Sequence, residues 1–347
     1  MKLGVRTVSA PMRAPLVTGH GTVTDRELVL VSLEAADGWV GYGEAAPLQS
    51  YDGVSAAEVA AALEDCRPVL AAYRDAAPMA DVLARCGEAT VLSQALSAID
   101  LALWDLAGRR TREPVWRLLG AGPPAAVAVN WTIAAVDRSG AAHEAAQARA
   151  DGFSAVKVKV AIGDDAGRLA AVRAFAGPQM AIRIDANGAW SLGEARATLD
   201  ALQPVGIELC EEPVAGLEAI RALSQVTRIP LALDESADDP QALVAPAAAD
   251  LICLKVSRCG GITGTIQTAE RARAAGYDVY LASTLDGPLG IAAALHAAAV
   301  IRPERACGLA TLGLFADRAD PMPPLRGALA PPATPGLGEE LLSWYGR

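Results

Sequence analysis

The chain has 347 residues, of which 52% are hydrophobic, and its formal net charge is −10. This length suits one large α/β domain plus a smaller one, and the acidic balance argues against nucleic-acid or anionic-membrane binding as a main activity. Because no apolar run reaches the ~18 residues of a membrane span and the start does not resemble a signal peptide, we expect a cytoplasmic protein without membrane partners.

The N-terminal part of the chain predicts an α+β domain. Residues 1–50 alternate between apolar and polar as antiparallel strands do, and Asp37-Gly38 is a strong hairpin-turn signal. Three helical patterns follow, and a Gly/Pro-rich stretch at 120–124 then marks a boundary. We therefore predict a capping domain over residues 1–122. The three helices are expected at 55–72, 77–87 and 90–109.

The middle of the chain predicts a (β/α) barrel over residues 123–310. Apolar strands recur at roughly one βα unit and alternate with Ala-rich amphipathic helices such as 192–202 and 261–275. This pattern indicates a TIM-like (β/α)7-8 barrel; a doubly wound open sheet is the alternative, but no GxGxxG opens the first unit. We expect segment 311–347 to complete the capping domain. Eight strands are predicted, at 126–133, 154–160, 180–185, 206–210, 230–234, 250–255, 277–283 and 306–309.

Two lysines lie one residue apart in the second of these strands. Because side chains alternate faces along a strand, Lys157 and Lys159 point the same way. Two cations side by side on a buried face repel each other and lose solvation, and both effects depress a lysine pKa toward useful base strength. An edge strand with both lysines in water is the alternative.

Cysteine and histidine usage narrows the possible chemistry. The six cysteines include no CxxC pair, and Cys210 and Cys253 lie in apolar runs, as expected of buried free thiols in a reducing cytoplasm. Only three histidines occur, none near another in sequence. A histidine-based metal site or a Ser/His/Asp triad therefore has little to build on.

Further ionisable residues close the next four predicted strands, each about one βα unit after the last. Active sites of such barrels lie at the carboxyl ends of the strands, so these groups should converge. Three carboxylates together need a compensating cation, and all-oxygen ligands select a hard divalent ion, Mg²⁺ before Mn²⁺. A structural ion-pair network is the alternative. The four residues are Asp185, Glu211, Asp234 and Lys255.

A metal flanked by candidate bases suits the removal of a proton α to a carboxylate. That proton is too weakly acidic for an unaided amine, so a metal must neutralise the second negative charge of the enediolate as it forms. The sequence thus predicts a metal-dependent enzyme that acts on a small carboxylate substrate.

These motifs resemble the enolase superfamily, and within it the muconate-lactonizing (lysine–lysine) subgroup, over essentially the whole chain. The seventh strand offers no histidine, which excludes histidine-using subgroups such as the mandelate racemases. The resemblance rests on segments 98–106 and 116–120, on Lys-x-Lys at 157–159, Asp-x-Asn at 185–187, Glu-Glu-Pro at 211–213 and Asp-Glu-Ser at 234–236, and on Lys255 with Gly260-Gly261.

The resemblance assigns roles to the polar residues of the strand ends. Lys159 would be the general base, and Lys157 would lower its pKa and touch the substrate carboxylate. Lys255 would be the acid or base on the opposite face or, in a dehydration, a cation beside the enediolate. Asp185, Glu211 and Asp234 would bind Mg²⁺, with Asn187 and Glu235 supporting them.

Within the subgroup, the chain most resembles the o-succinylbenzoate synthases. Their strand-seven loop, strand-eight end and capping loop are similar to segments 282–290, 307–312 and 41–48, although Gly287 and Pro288 stand where that family usually has serines. The implied reaction is a syn-dehydration to o-succinylbenzoate in menaquinone synthesis.

Other reactions of the subgroup stay open. Dipeptide epimerases usually hold the substrate ammonium with Asp-x-Asp after strand eight, whereas 308–312 contains no carboxylate. Muconate cycloisomerases usually carry a glutamate where Gly313 stands. An N-acylamino acid racemase or dipeptide epimerase is the main alternative, a cycloisomerase-like isomerase another, and a non-enzymatic binding scaffold the last.

Substrate contacts are expected from two loops. The superfamily closes its barrel with a flexible N-terminal loop, which here corresponds to 16–24, with Gly19 and Thr22; an ordinary hairpin connection is the alternative. The loop at 49–53 is a further candidate. The sequence leaves open whether the chain forms a homo-oligomer. In the strand-seven loop the candidate substrate-binding residues are Ser283, Thr284 and Asp286.

Overall fold

A computed structural model of the chain describes residues 1–73 and 78–346. One residue of the predicted helix 77–87 and one of the segment 311–347, Ala77 and Arg347, lie outside this description. The N-terminal part forms a three-stranded antiparallel sheet in the order β1-β2-β3, flanked by helices. Its elements are β1 (Lys2–Thr18), β2 (Gly21–Glu34), β3 (Val40–Ala45), α1 (Gln49–Asp52), α2 (Ala56–Ala72), α3 (Met79–Ala89), α4 (Ser93–Thr111) and α5 (Val115–Leu118).

Two glycines allow helix α4 to lie directly on strand β3. A Cβ atom at Gly41 would overlap the carbonyl oxygen of Ala102, and one at Gly43 would overlap that of Ala98. Larger residues would push the helix off the sheet, so this close packing depends on glycine at both positions. The helix and the sheet thereby enclose their own apolar core.

The rest of the chain forms a curled, seven-stranded parallel sheet whose order is β11-β10-β9-β8-β7-β6-β5. A short antiparallel pair, β4 with β12, lies outside it. The elements are β4 (Val127–Ala128), β5 (Asn130–Ile133), α6 (Arg138–Ala150), β6 (Ala155–Lys159), α7 (Asp165–Ala176), β7 (Ala181–Asp185), α8 (Leu192–Leu202), β8 (Ile207–Glu211), α9 (Leu217–Ser224), β9 (Leu231–Leu233), β10 (Leu251–Leu254), α10 (Ile262–Ala275), β11 (Asp278–Leu281), α11 (Pro288–Ile301) and β12 (Ala328–Leu329).

The predicted eighth strand, 306–309, is reduced to isolated bridges. Cys307 bridges to Val129 on one side, and Gly308 bridges to Ala282 on the other. The Asn130 amide donates to the Cys307 carbonyl at 3.0 Å. This segment therefore closes the ring between the first and last strands of the sheet without forming a full strand.

The predicted fold class, a TIM-like (β/α)7-8 barrel with an α+β N-terminal cap, is confirmed. The barrel departs from full regularity between β9 and β10, where the chain forms only a 3-10 helix, Glu235–Asp238, and irregular turns. Within the described residues, no helix is both long enough and apolar enough to cross a membrane.

Buried acids of helix α4 join the N-terminal part to the barrel. The hydroxyl of Thr263, at the start of α10, donates to Asp100 at 2.6 Å, and the indole of Trp104 donates to the same hydroxyl at 3.0 Å. Asp105 accepts the backbone N–H of Leu337 from the C-terminal segment at 2.9 Å. Since these contacts fix the cap over the barrel, they also fix where the loops of the cap meet the strand ends.

Candidate active site

Strand register brings together the residues that end predicted strands two, three and four. Lys159 of β6 pairs with Asp185 of β7, and Asp185 pairs with Glu211 of β8. These residues lie at the carboxyl ends of adjacent parallel strands and face the barrel interior. Asp234 follows β9 directly, and Lys255 follows β10. The barrel thus places all five residues at one mouth.

Lysine ammonium groups bridge the carboxylates. Lys157 Nζ lies 2.8 Å from Asp185 Oδ2 and 2.7 Å from Glu211 Oε1. Lys159 Nζ donates to Asp185 Oδ2 at 2.6 Å and to Asn187 Oδ1 at 2.8 Å. All of these groups are largely shielded from solvent, so their charges interact strongly.

A second cluster forms around Asp234 on the opposite side of the mouth. Lys255 Nζ donates to both carboxylate oxygens of Asp234, each at 2.6 Å. The hydroxyl of Tyr51, which reaches in from helix α1 of the cap, donates to Asp234 Oδ1 at 2.7 Å and accepts from Lys255 at 2.6 Å. Arg258 also donates to this hydroxyl. The cap therefore contributes directly to the placement of Lys255.

Tyr280 supports Glu211 from inside the barrel. Its hydroxyl donates to Glu211 Oε2 at 2.7 Å, while Glu211 Oε1 accepts from Lys157. The guanidinium of Arg183 lies 5.3 Å from the centre of the Tyr280 ring, within the distance of a cation–π contact. The carboxylate plane of Glu211 is thus held at both oxygens.

The charges of the site shift its pKa values in opposite directions. Burial raises the pKa of Glu211 to about 7, although Lys157 opposes this effect. Burial also acts on Asp185 and Asp234, but neighbouring lysines outweigh it and hold the pKa of each carboxyl well below its usual range.

Lys157 departs from the sequence-based expectation of a depressed pKa. Burial lowers the pKa of Lys157, but Asp185 and Glu211 outweigh burial and raise it well above its usual value. The pKa of Lys255 is raised in the same way, with Asp234 as its main counter-charge. Repulsion between neighbouring lysines is therefore not the dominant effect at Lys157, because two carboxylates lie within hydrogen-bond distance of its ammonium.

The donor set fits a hard divalent cation. Oxygens of Asp185 and Glu211 both lie within hydrogen-bond distance of the Lys157 ammonium, so a single cation can contact both carboxylates. Ligand atoms of Glu211, Asp234 and Cys253 lie within 4.8 Å of one another. Hard divalent cations such as Mg²⁺ prefer carboxylate oxygens to sulfur, so the carboxylates are the fitting ligands of this group.

Asn187 and Glu235 form a contact point for the cap. Asn187 Nδ2 donates to Glu235 Oε1 at 3.0 Å, and His20 Nε2 lies 2.7 Å from the same oxygen. The amide of Gly19 donates to Asn187 Oδ1 at 3.4 Å. The expected loop at 16–24 is the tip of the β1–β2 hairpin, and its turn rests on the barrel mouth.

Cap and barrel together enclose a cavity of about 100 Å³. Of the residues expected to contact substrate, Ser283 and Thr284 line it. Asp286 is buried behind the wall and accepts from the Thr284 hydroxyl at 2.7 Å. Gly19 and Thr22 are exposed at the hairpin and are not among the lining residues. Apolar side chains of the cap cover the cavity: Leu16, Val23 and Leu48.

Sequence reasoning named the loops at 49–53 and 16–24 but did not single out Tyr51 and His20 within them, and it missed Tyr280 altogether. The contact of each with the site depends on the way the cap or the far side of the barrel folds over the mouth.

The composition of the chain contains a further signal for the lysines of the site. The chain contains only four lysines, and all but Lys2 lie at this site, whereas arginine is used elsewhere. Because arginine cannot act as a base at ordinary pH, such selective use of lysine indicates a need for a titratable amine.

Two family models match the chain. Residues 2–120 match the model described as the mandelate racemase / muconate lactonizing enzyme N-terminal domain, and residues 140–343 match the model described as enolase C-terminal domain-like. Among curated proteins, the D-Ala-D/L-Ala epimerase of Cytophaga hutchinsonii is 29% identical over 94% of this chain and 92% of its own length. The o-succinylbenzoate synthase of Mycobacterium tuberculosis is 42% identical over 53% of this chain and 58% of its own length.

Solved structures match over nearly the whole chain. The 2-chloromuconate cycloisomerase of Rhodococcus opacus superposes with a TM-score of 0.91 and 28% identity and covers 100% of this chain and 99% of its own. The dipeptide epimerase of Cytophaga hutchinsonii, complexed with Mg and the dipeptide D-Ala-L-Val, gives a TM-score of 0.88 with 28% identity. The match covers 97% of this chain and 94% of the epimerase. These proteins carry out different reactions on closely similar folds.

Proposed function

Because this chain belongs to the muconate lactonizing enzyme subgroup of the enolase superfamily, we propose that its buried lysines and carboxylates remove the proton α to a substrate carboxylate. The chain is an enzyme of the lyase or isomerase class, as its relatives are. The observation that carries the proposal is the convergence of Lys159, Asp185, Glu211, Asp234 and Lys255 at one barrel mouth.

Asp185, Glu211 and Asp234 would hold Mg²⁺, or Mn²⁺ in its place. When bound, this cation supplies the positive charge that balances the three carboxylates and the charge developing on the substrate carboxylate. Asn187 and Glu235 hold the ends of the ligand loops together, and Tyr51 fixes Asp234 from the cap.

The lysines divide the proton chemistry between two faces of the substrate. Lys159 takes the α-proton on one face, and Lys157 lies beside it, where it can contact the substrate carboxylate. Lys255 lies across the mouth, against Asp234, and faces the other side of the same cavity. The product of proton removal is an enediolate, which lysines on either side stabilise electrostatically.

The preferred reaction is a syn-dehydration to o-succinylbenzoate, a step of menaquinone synthesis. It is supported by the 42% identity with the mycobacterial o-succinylbenzoate synthases over 195 residues. Lys159 would remove the α-proton, and loss of the hydroxyl group from the neighbouring carbon on the same face would complete the reaction. Purified protein with Mg²⁺ and the hydroxylated cyclohexadiene carboxylate tests it directly; turnover no faster than with other substrates of the subgroup would refute this assignment.

Racemisation or epimerisation of an acylated amino acid or dipeptide is the second candidate. Lysines on opposite faces of one cavity favour it, and so does the 29% identity with an epimerase over nearly the whole chain. A racemase needs both lysines to exchange the α-protons of both enantiomers, one lysine for each, whereas a syn-dehydratase needs only one as a base.

Substitution Lys255→Arg should separate these two candidates. Arginine keeps the positive charge but cannot act as a base. For a racemase we expect α-proton exchange in D₂O to be abolished from one enantiomer only, and for a dehydratase we expect turnover to persist within about tenfold. Lys2→Arg, an exposed lysine far from the site, is the matched control. Loss of exchange from both enantiomers would contradict the division of the lysines between two faces.

Substitution Tyr280→Phe should weaken Mg²⁺ binding by about tenfold, because it removes the hydrogen bond that orients Glu211. Calorimetric titration with Mg²⁺ measures the effect. Tyr277→Phe is the control, since the Tyr277 hydroxyl is also buried but donates to the Ala242 carbonyl away from the site. Equal losses in the two variants would show a general effect of the missing hydroxyl rather than support of Glu211.

A further inference from the structure

Asn130 is a buried amide whose hydrogen-bonding capacity is incompletely used. The residue is 2% exposed, and its Nδ2 atom has no hydrogen-bond partner among the residues that the structure describes. A buried donor without an acceptor costs free energy, so such groups are uncommon unless something else supplies the acceptor. The backbone amide of Asn130, by contrast, is satisfied by Cys307.

The side chain of Asn130 faces the cavity of the candidate active site. Along β5, Asn130 and Thr132 line this cavity, whereas Trp131 between them does not. This alternation is that of a strand with one face inward. Asn130 Oδ1 lies beside Gly308, another lining residue, which has no side chain to compete for the space.

The cavity is divided by charge. Its charged side chains come from the strands β6 to β10 and from the cap hairpin, and they are Lys157, Lys159, Asp185, Asp234, Lys255 and His20. The residues that line it from β5, the loop after β11 and the segment at 308–311 are uncharged. An ionic group of the substrate on this side would therefore be buried without a partner of opposite charge.

We propose that Asn130 donates through Nδ2 to an uncharged carbonyl oxygen of the substrate, on the group next to the reacting carboxylate. This inference rests on the proposed function, which places the reacting carboxylate at the lysine and metal side. The carbonyl can be the ketone of a succinyl group or the amide of an acylated amino acid, which share the same acceptor chemistry. Neither an ammonium nor a second carboxylate suits the position, because Nδ2 cannot accept and no cation lines that wall.

Two pairs of ligands, titrated calorimetrically into the Mg²⁺-loaded protein, isolate this hydrogen bond. The first pair is o-succinylbenzoate and 2-(3-carboxypropyl)benzoate, in which a methylene replaces the ketone. The second is 2-benzyl-4-oxopentanoate, whose ketone stands at the position of the acetamido carbonyl of N-acetylphenylalanine, and 2-benzylpentanoate, in which a methylene replaces that ketone. In the wild type we expect the carbonyl member of the true pair to bind about tenfold more tightly. The pair that shows the preference identifies the source of the carbonyl.

Substitution Asn130→Ala should remove this preference by weakening only the carbonyl ligand, about tenfold, while the carbonyl-free partner reports that the site is still folded. Asn130→Asp, which keeps the shape but replaces the donor with an acceptor, should weaken the carbonyl ligand further. A preference that survives in both variants, or is absent from the wild type with both pairs, overturns the role of Asn130.

Failure of the proposed function is visible separately. In the wild type with Mg²⁺, turnover of the hydroxylated cyclohexadiene carboxylate, or α-proton exchange of N-acetyl-L-phenylalanine in D₂O, reports the chemistry of the lysines. If the carbonyl preference depends on Asn130 but the wild type shows neither turnover nor exchange, the binding role stands and the proposed reaction falls. If turnover or exchange occurs but the preference is absent, the reaction stands and the role of Asn130 falls.

Discussion

Substitution Lys159→Met should reduce turnover by about 10²–10⁴-fold, because it removes the group that takes the α-proton. Lys159→Arg should be equally inactive, since arginine keeps the charge but stays protonated. A loss with methionine that arginine restores would show that Lys159 acts as a cation rather than as a base. Turnover with saturating Mg²⁺ and substrate is the measurement.

We expect these substitutions of Lys159 to have little effect on the fold and not to weaken Mg²⁺ binding. The lysine donates to Asp185 and Asn187, so its removal frees a carboxylate oxygen rather than taking a ligand away. We therefore expect Mg²⁺ affinity in Lys159→Met to be equal to or higher than that of the wild type. Lys2→Met, which alters an exposed lysine paired with Glu34, should leave both activity and Mg²⁺ affinity unchanged.

Substitution Glu211→Gln should lower Mg²⁺ affinity by at least about 100-fold, more than the loss of a supporting hydrogen bond would cause. Glu211 is the middle carboxylate of the three, and it faces Lys157 with one oxygen and Tyr280 with the other. The amide keeps the shape of the side chain but removes the charge that a hard cation requires. Calorimetric titration with Mg²⁺ measures the change, and turnover should fall in parallel.

Glu208→Gln is the matched control for this substitution. Glu208 lies on the same strand, β8, but pairs with Arg183 and Arg305 at a distance from the mouth. We expect Glu208→Gln to change stability without changing Mg²⁺ affinity. If Glu211→Gln binds Mg²⁺ as tightly as Glu208→Gln does, the carboxylates form a structural ion-pair network with the lysines, and the proposed metal site is wrong.

The choice between reactions depends on parts of the site that the lysines and carboxylates do not control. Proteins named as an o-succinylbenzoate synthase, a dipeptide epimerase and a 2-chloromuconate cycloisomerase all resemble this chain. Besides its charged groups, the cavity has an uncharged side, where Asn130 and Ser283 lie, and an apolar cover supplied by the cap. We therefore expect these surfaces to decide which substrate is bound.

The sequence by itself determined the barrel and the residues of its mouth. Strand length and helix length fix the interval between successive strand ends, so Lys159, Asp185, Glu211, Asp234 and Lys255 could be placed together without coordinates. Alternation along a strand likewise put Lys157 and Lys159 on one face. These inferences succeed because they depend only on local periodicity and on the parallel order of the strands.

Only the tertiary structure decided which groups touch. Tyr51 reaches Asp234 because the cap docks over the barrel. Asn130 lies in the cavity wall beside segment 306–309, which closes the ring as isolated bridges. The direction of the Lys157 pKa shift reversed for the same reason: two carboxylates lie within 2.8 Å of its ammonium. Electrostatic effects fall steeply with distance and depend on burial, and neither quantity is encoded in the spacing of residues along the chain.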